Sequence, residues 1–128
     1  MKKILIVDDH PAVIRVLRLG IEQAGYVVDS ARDGLECMEK LAEAHPDFVV
    51  TDIDMPRMSG RELCEAIEAT YPDRGFPIVV LTSRSELEHR DWTGAIENLS
   101  FMEKPVSMRQ LLSHIDHCLN DYADSGVA

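Results

Sequence analysis

Short, continuous apolar runs that end abruptly in polar residues constrain the fold of this chain most. The run Phe48–Val50 is soon followed by Asp52, and Pro56 then prevents regular structure from continuing. Ile4–Val7 and Ile78–Leu81 are runs of the same kind. Because such runs are typical of strands buried on both faces, they predict the centre of a sheet that is covered on both sides.

Amphipathic segments separate these runs. The segment 11–24 carries an apolar stripe that predicts a helix packed on the sheet, formed by Val13, Val16, Leu17 and Ile21. Capping signals open three further helices: Asp33 with Glu36, Ser59 with Glu62, and Ser107 with Gln110. The helix after Asp33 is predicted to turn Leu35, Met38 and Leu41 inward.

The order of these segments is five strands that alternate with five helices, without repeats or an internal linker. Such alternation predicts an α/β fold: a doubly wound, five-stranded parallel sheet with helices on both faces. Strands two and five are half polar and are predicted to be edges, which gives the flavodoxin-like order 2-1-3-4-5. We expect one domain over residues 1–122 and a polar C-terminal tail over 123–128.

Composition excludes several classes of function. The chain has 128 residues, 45% of them apolar, and a net charge of −10 without a basic cluster, which argues against direct nucleic-acid binding. Neither a membrane-spanning run nor a signal peptide is present in the sequence, so we expect no membrane partner. Three widely spaced cysteines, Cys37, Cys64 and Cys118, predict free thiols in a reducing cytoplasm.

Reactive side chains follow four of the predicted strands. Asp8 and Asp9 follow strand one, Asp52 strand three, Thr82 strand four and Lys104 strand five. Because ligands bind beyond the carboxyl ends of the strands in such sheets, we expect these side chains to line one pocket.

Carboxylates a few ångströms apart repel one another, so the predicted pocket requires positive charge. Lys104 supplies one charge, and Mg²⁺, which prefers carboxylate oxygens, water and phosphate, would supply two more. Asp52 is central and is the best candidate nucleophile, because attack by a carboxylate on phosphorus gives an aspartyl phosphate. Mg²⁺, Lys104 and the Thr82 hydroxyl would each hold an oxygen of the transferred group.

At these positions the chain resembles the receiver domain of bacterial two-component response regulators. The matching segments, in the order of the family, are Ile6–Asp9, Thr51–Pro56 with Gly60, Val80–Ser83 and Phe101–Pro105. The resemblance implies that Asp52 accepts a phosphoryl group from a histidine kinase or a phosphotransfer histidine. It also implies a cis peptide between Lys104 and Pro105.

The resemblance further implies a Mg²⁺ site and a switch. Asp9 and Asp52 would bind Mg²⁺ directly, Asp8 mostly through water, and Asp54 through its backbone carbonyl. Thr82 and Phe101 would move on phosphorylation. The surface formed by helix four, strand five and helix five would then change its affinity for a downstream protein target.

Asp54 and Arg84 occupy the variable positions that flank the phosphoryl pocket in this family. We predict that they pair across its mouth, hinder the hydrolytic water and so lengthen the phosphorylated lifetime.

Three other functions compete with the receiver hypothesis. A haloacid-dehalogenase-type phosphatase uses similar residues, but in that class Asp-x-Asp precedes the acid pair. A flavin-binding protein needs a phosphate loop after strand one, where Asp8 and Asp9 would repel phosphate. A receiver-like module that is never phosphorylated would not need the full acid, hydroxyl and lysine set.

Some residues carry weaker signals. His114 and His117 are predicted to lie on a solvated helix face, and His10 is given no role by its position. Trp92 is interpreted equally well as core or as an exposed partner contact.

Overall fold

A computed structural model describes residues 1–83, 90–94 and 96–127. The strands are β1 (Lys3–Val7), β2 (Val27–Ala31), β3 (Phe48–Asp52), β4 (Ile78–Thr82) and β5 (Leu99–Glu103). The helices are α1 (Pro11–Gln23), α2 (Gly34–Glu43), α3 (Gly60–Thr70), α4 (Arg90–Thr93) and α5 (Met108–Val127).

The strands form one parallel sheet in the order β2-β1-β3-β4-β5, which confirms the predicted fold class and the predicted edges. In the register of β1 and β3, Val7 pairs with Thr51, and in that of β3 and β4, Asp52 pairs with Leu81. The central strands β3 and β4 are buried along their whole length.

Two apolar clusters cover the two faces of the sheet, because alternate strand residues point to opposite sides. Ile4 and Ile6 of β1 pack with residues of α1 and α5 on one face. Leu5 and Val7 pack with residues of α2 and α3 on the other. Both faces of β1 are therefore apolar, as the continuous run Ile4–Val7 predicted.

Two predicted inward faces were partly wrong. In α1, Leu17 and Ile21 are buried as predicted, whereas Val13 and Val16 are 39% and 64% exposed. In α2, Leu35 is exposed and Cys37 is buried in its place. Val13 lies on the same stripe as Leu17 but at the first turn of the helix, and Val16 lies beside that stripe, so periodicity alone did not determine how deeply either is buried.

The helix caps follow the sequence signals closely. Ser59 and Glu62 form a complete capping box at α3. At α2 the Asp33 carboxylate accepts from the Glu36 N–H, but the Glu36 carboxylate accepts from the Arg32 N–H, so only half of the predicted box forms. The backbone of α5 is helical through Val127, which includes most of the segment predicted as a tail.

Candidate functional site

Parallel pairing brings the ends of the strands together at one edge of the sheet. Asp8 and Asp52 follow the paired residues Val7 and Thr51 and therefore lie side by side. The Ile53 N–H donates to the Leu81 carbonyl at 3.1 Å, and the Lys104 N–H donates to the Thr82 carbonyl at 2.8 Å. These hydrogen bonds align the ends of β3, β4 and β5.

Asp52 is the most constrained acid of this group. Only 2% of the residue is exposed, and the Lys104 ammonium contacts its Oδ1 atom. Burial raises the pKa of Asp52 and the neighbouring Asp8 carboxylate adds to that rise, whereas the ion pair with Lys104 opposes it. A single ammonium therefore compensates this buried carboxylate incompletely.

Asp8, Asp9, His10 and Asp52 form a compact set of polar side chains. One ligand-type atom of each lies within 4.8 Å of those of the others. His10 Nδ1 lies 3.0 Å from an Asp8 oxygen and 3.2 Å from an Asp9 oxygen. The hydrogen bond to Asp8 and the charge of Asp9 raise the pKa of His10. The sequence had given His10 no role, although its position directly after the acids was a signal.

The donor set fits a hard divalent cation. The Asp9 Oδ1 atom is buried and has no hydrogen-bond partner among the described residues. Carboxylate oxygens that converge without enough positive charge are the ligands that Mg²⁺ takes. Asp54, whose backbone carbonyl was predicted as a further ligand, is exposed in the loop after β3.

Gly60 fixes the path of the β3–α3 loop. Its N–H donates to the Ile53 carbonyl at 2.8 Å. A Cβ atom at this position would lie 2.3 Å from the Asp52 carbonyl oxygen, which is closer than any side chain tolerates. The start of α3 therefore packs directly against the end of β3, and this contact requires glycine.

A second contact anchors the same loop to α2. Arg57 adopts a left-handed φ of 64°, and its guanidinium Nε donates to Asp33 Oδ2 at 2.8 Å. The Asp33 carboxylate also caps α2, and its hydrogen bond from Glu36 and the contact with Arg57 lower its pKa. Sequence reasoning missed this pair, because its members are 24 positions apart.

The predicted switch residues lie on β4 and β5. Thr82 is buried at the end of β4, and Phe101 is half-buried in β5. The Phe101 ring meets the Trp92 ring edge-on, with centroids 5.8 Å apart. Trp92 itself is buried, and the Arg61 guanidinium lies 5.8 Å from its ring centroid. The question left open by the sequence is thus resolved: Trp92 belongs to the core.

Three further predictions had different outcomes. His114 is not solvated: it is half-buried and hydrogen-bonded to Ser100 at 2.8 Å, and burial lowers its pKa. The Lys104–Pro105 peptide is cis, as implied. Arg84, assigned with Asp54 to phosphoryl lifetime, lies outside the described residues.

Comparisons with known proteins identify the family of the chain. The response regulator receiver domain model matches residues 4–116. The chain therefore belongs to the receiver domains of response regulators, the switch modules of two-component signalling. The helices of the described ranges include none that is long and apolar enough to cross a membrane.

Similar proteins include the response regulator MprA of Mycobacterium ulcerans, which is 36% identical over 113 residues. That match covers 88% of this chain and 48% of the relative, so the chain spans about half the length of the curated relatives it matches.

Among solved structures, the chemotaxis protein CheY4 of Vibrio cholerae is 29% identical, with a TM-score of 0.84 over 93% of this chain and 99% of that one. TrrA of Thermotoga maritima, solved in complex with Mg(2+)-BeF, is also 29% identical, with a TM-score of 0.81 over 93% of this chain and 100% of that one.

Proposed function

We propose that this domain is a phosphoacceptor switch in which Asp52 receives the phosphoryl group. The observation that carries the proposal is the environment of Asp52: a buried carboxylate at the end of a central strand, contacted by Lys104 and adjacent to Asp8. The haloacid-dehalogenase-like phosphatase is not favoured, because the chain belongs to the receiver family over residues 4–116.

Mg²⁺ is the cofactor that these residues would hold. Asp9 and Asp52 would bind it directly, Asp8 mostly through water, and Asp54 through its backbone carbonyl. The Asp9 oxygen that lacks a hydrogen bond among the described residues and the closeness of the acids support this assignment. When bound, the ion supplies positive charge that permits a phosphoryl group to approach the acids.

The proposed reaction is a simple group transfer. An oxygen of the Asp52 carboxylate attacks the phosphorus of a phosphohistidine, on a histidine kinase or a histidine phosphotransfer protein. The new P–O bond forms as the P–N bond breaks; the electron pair of the P–N bond stays on the imidazole nitrogen, which takes up a proton from solvent. Lys104 and the Thr82 hydroxyl hold oxygens of the transferred group, which is the positioning that phosphoryl transfer requires.

The output of the switch is a change of surface. Thr82 would move toward the phosphoryl group, and Phe101 would turn inward behind it. The edge-on contact between Phe101 and the buried Trp92 supports this step, because it joins β5 to α4. The surface of α4, β5 and α5 would then bind a downstream protein in the cytoplasm, without direct contact to nucleic acid.

Phosphoryl lifetime is a separate part of the proposal. Asp54 is exposed beside the pocket, where it is accessible to a partner. A pairing of Asp54 with Arg84 would hinder the water that hydrolyses the aspartyl phosphate. The dephosphorylation rate of Arg84→Ala should exceed that of the wild type; equal rates would refute this role.

The function is tested with acetyl phosphate as a small donor. Wild-type protein should gain the mass of one phosphoryl group when Mg²⁺ is present and none after chelation, whereas Asp52→Ala should gain none. Steady turnover of p-nitrophenyl phosphate without accumulation of labelled protein would favour the phosphatase instead.

A further inference from the structure

His10 is the one nitrogen ligand that the described residues bring to the acidic site. Its Nδ1 atom points at the acids, 3.0 Å from Asp8 Oδ1 and 3.2 Å from Asp9 Oδ1, while the side chain as a whole is 64% exposed. Its backbone N–H also donates to Asp8 Oδ1 at 2.8 Å. The imidazole is therefore held beside the carboxylates by its position at the start of α1.

The spacing of these atoms matches a shared cation. Two ligands at right angles on a metal with bonds of about 2.1 Å lie roughly 3 Å apart. The distances from His10 Nδ1 to Asp8, to which it is hydrogen-bonded, and to Asp9 are also of that size. The Asp9 oxygen concerned is buried and, beyond its ion-pair contact with His10, makes no hydrogen bond in the described part of the chain, so lone pairs remain for a cation.

The chemistry of the donors determines which cations benefit. Mg²⁺ prefers oxygen ligands and gains little from an imidazole. Ni²⁺, Co²⁺ and Zn²⁺ bind imidazole well and follow Mn²⁺ and Fe²⁺ in the order of increasing affinity for mixed nitrogen and oxygen sites. A histidine added to three carboxylates therefore changes selectivity more than it changes Mg²⁺ affinity.

We propose that His10, together with Asp8, Asp9 and Asp52, forms a site for imidazole-binding divalent transition metals, which compete with Mg²⁺ at the same acids. The inference rests on the proposed function only in taking these acids as a cation site. If His10 is merely a hydrogen-bond donor to Asp8, Mg²⁺-dependent phosphorylation will be intact and the metal preference absent, so the two proposals fail separately.

The test measures the affinity of the full chain for Ni²⁺ and, separately, for Mg²⁺ by isothermal titration calorimetry. All titrations use one buffer at one pH, because metal affinity depends on pH. Because loss of even an outer-shell partner costs 10–100-fold, His10→Ala should weaken Ni²⁺ binding by at least about tenfold. Its Mg²⁺ affinity should equal that of the wild type.

Two control variants locate the bound metal. His117→Ala removes an exposed histidine from α5 and should leave Ni²⁺ binding unchanged. Asp9→Asn should weaken both metals, and excess Mg²⁺ should reduce the apparent Ni²⁺ affinity of the wild type. The proposal is overturned if His10→Ala binds Ni²⁺ as tightly as the wild type, if it loses Mg²⁺ affinity equally, or if Asp9→Asn leaves Ni²⁺ binding unchanged.

Discussion

Asp33 and Asp52 are both buried aspartates, yet their surroundings affect their charge in opposite ways. Asp33 accepts hydrogen bonds from the Glu36 N–H and from Arg57, and its pKa is lowered. Asp52 has the Lys104 ammonium and a backbone hydrogen bond from Ile53 against its own burial and the charge of Asp8, and its pKa is nevertheless raised. The surroundings of the first carboxylate favour its charged form, whereas burial of the second disfavours its charged form.

The largest effect is expected on the structural side of this comparison. Asp33→Ala removes the cap of α2 and leaves Arg57 without its partner, so the free energy of unfolding should fall by about 2–3 kcal/mol. Urea denaturation measures this change. Asp73→Ala, at an exposed position, should lie within about 0.5 kcal/mol of the wild type. Equal losses in the two variants would contradict the role given to Asp33.

Substitution of Asp52 should change the free energy of unfolding in the opposite direction. Without divalent cations, Asp52→Asn removes a buried charge, and Lys104, which is 40% exposed in its side chain, can still reach water. We expect a gain on the order of 1 kcal/mol in the free energy of unfolding. The same denaturation experiment measures it, with the exposed Asp54→Asn as control. A loss of stability in Asp52→Asn would place Asp52 with Asp33 as a structural acid.

The contributions of Asp33 and Asp52 to the free energy of unfolding should also depend on pH in opposite ways. Because the pKa of Asp33 is lowered, its contribution to stability is present above its unfolded pKa of about 3.9 and is lost as pH falls through the folded value. Because the pKa of Asp52 is raised, its favourable contribution is present below about pH 3.9 and is lost as pH rises through the folded value. The advantage of metal-free Asp52→Asn over wild type should therefore grow with rising pH, and that of wild type over Asp33→Asn should shrink with falling pH. If the free energy of unfolding of each variant changed with pH just as that of the wild type does, the lowered pKa of Asp33 and the raised pKa of Asp52 would both be contradicted.

The smallest effect concerns Arg57. Arg57→Ala loses the contact with Asp33 and keeps the left-handed backbone, so the free energy of unfolding should fall by roughly 0.5 kcal/mol. Arg57→Gly loses the same contact but adopts a φ of 64° without strain, so it should be the more stable of the two variants. Thermal denaturation of the two variants tests this order of stability. If Arg57→Gly were the less stable variant, the backbone at position 57 would not be strained.

The sequence predicted what depends on local pattern. The apolar runs Ile4–Val7 and Ile78–Leu81 gave the central strands, and half-polar β2 and β5 gave the edges. The N-cap of Asp33 also needed only its neighbour Glu36.

Contacts between distant segments could not be read in this way. The pairing of Arg57 with Asp33, the hydrogen bond of His114 to Ser100 and the burial of Trp92 depend on how helices pack on the finished sheet. Periodicity located the apolar side of α1 only to within one residue, which is why Val16 was misplaced.

The most direct measurement of the central claim is chemical mapping of the phosphorylated residue. Reduction of an acyl phosphate by borohydride converts the modified aspartate to homoserine, which mass spectrometry of peptides locates. After treatment with acetyl phosphate and Mg²⁺, homoserine should occur at position 52 alone and should be absent when Mg²⁺ is chelated. Homoserine at another acid, or at none, would contradict the proposal that Asp52 is the phosphoacceptor.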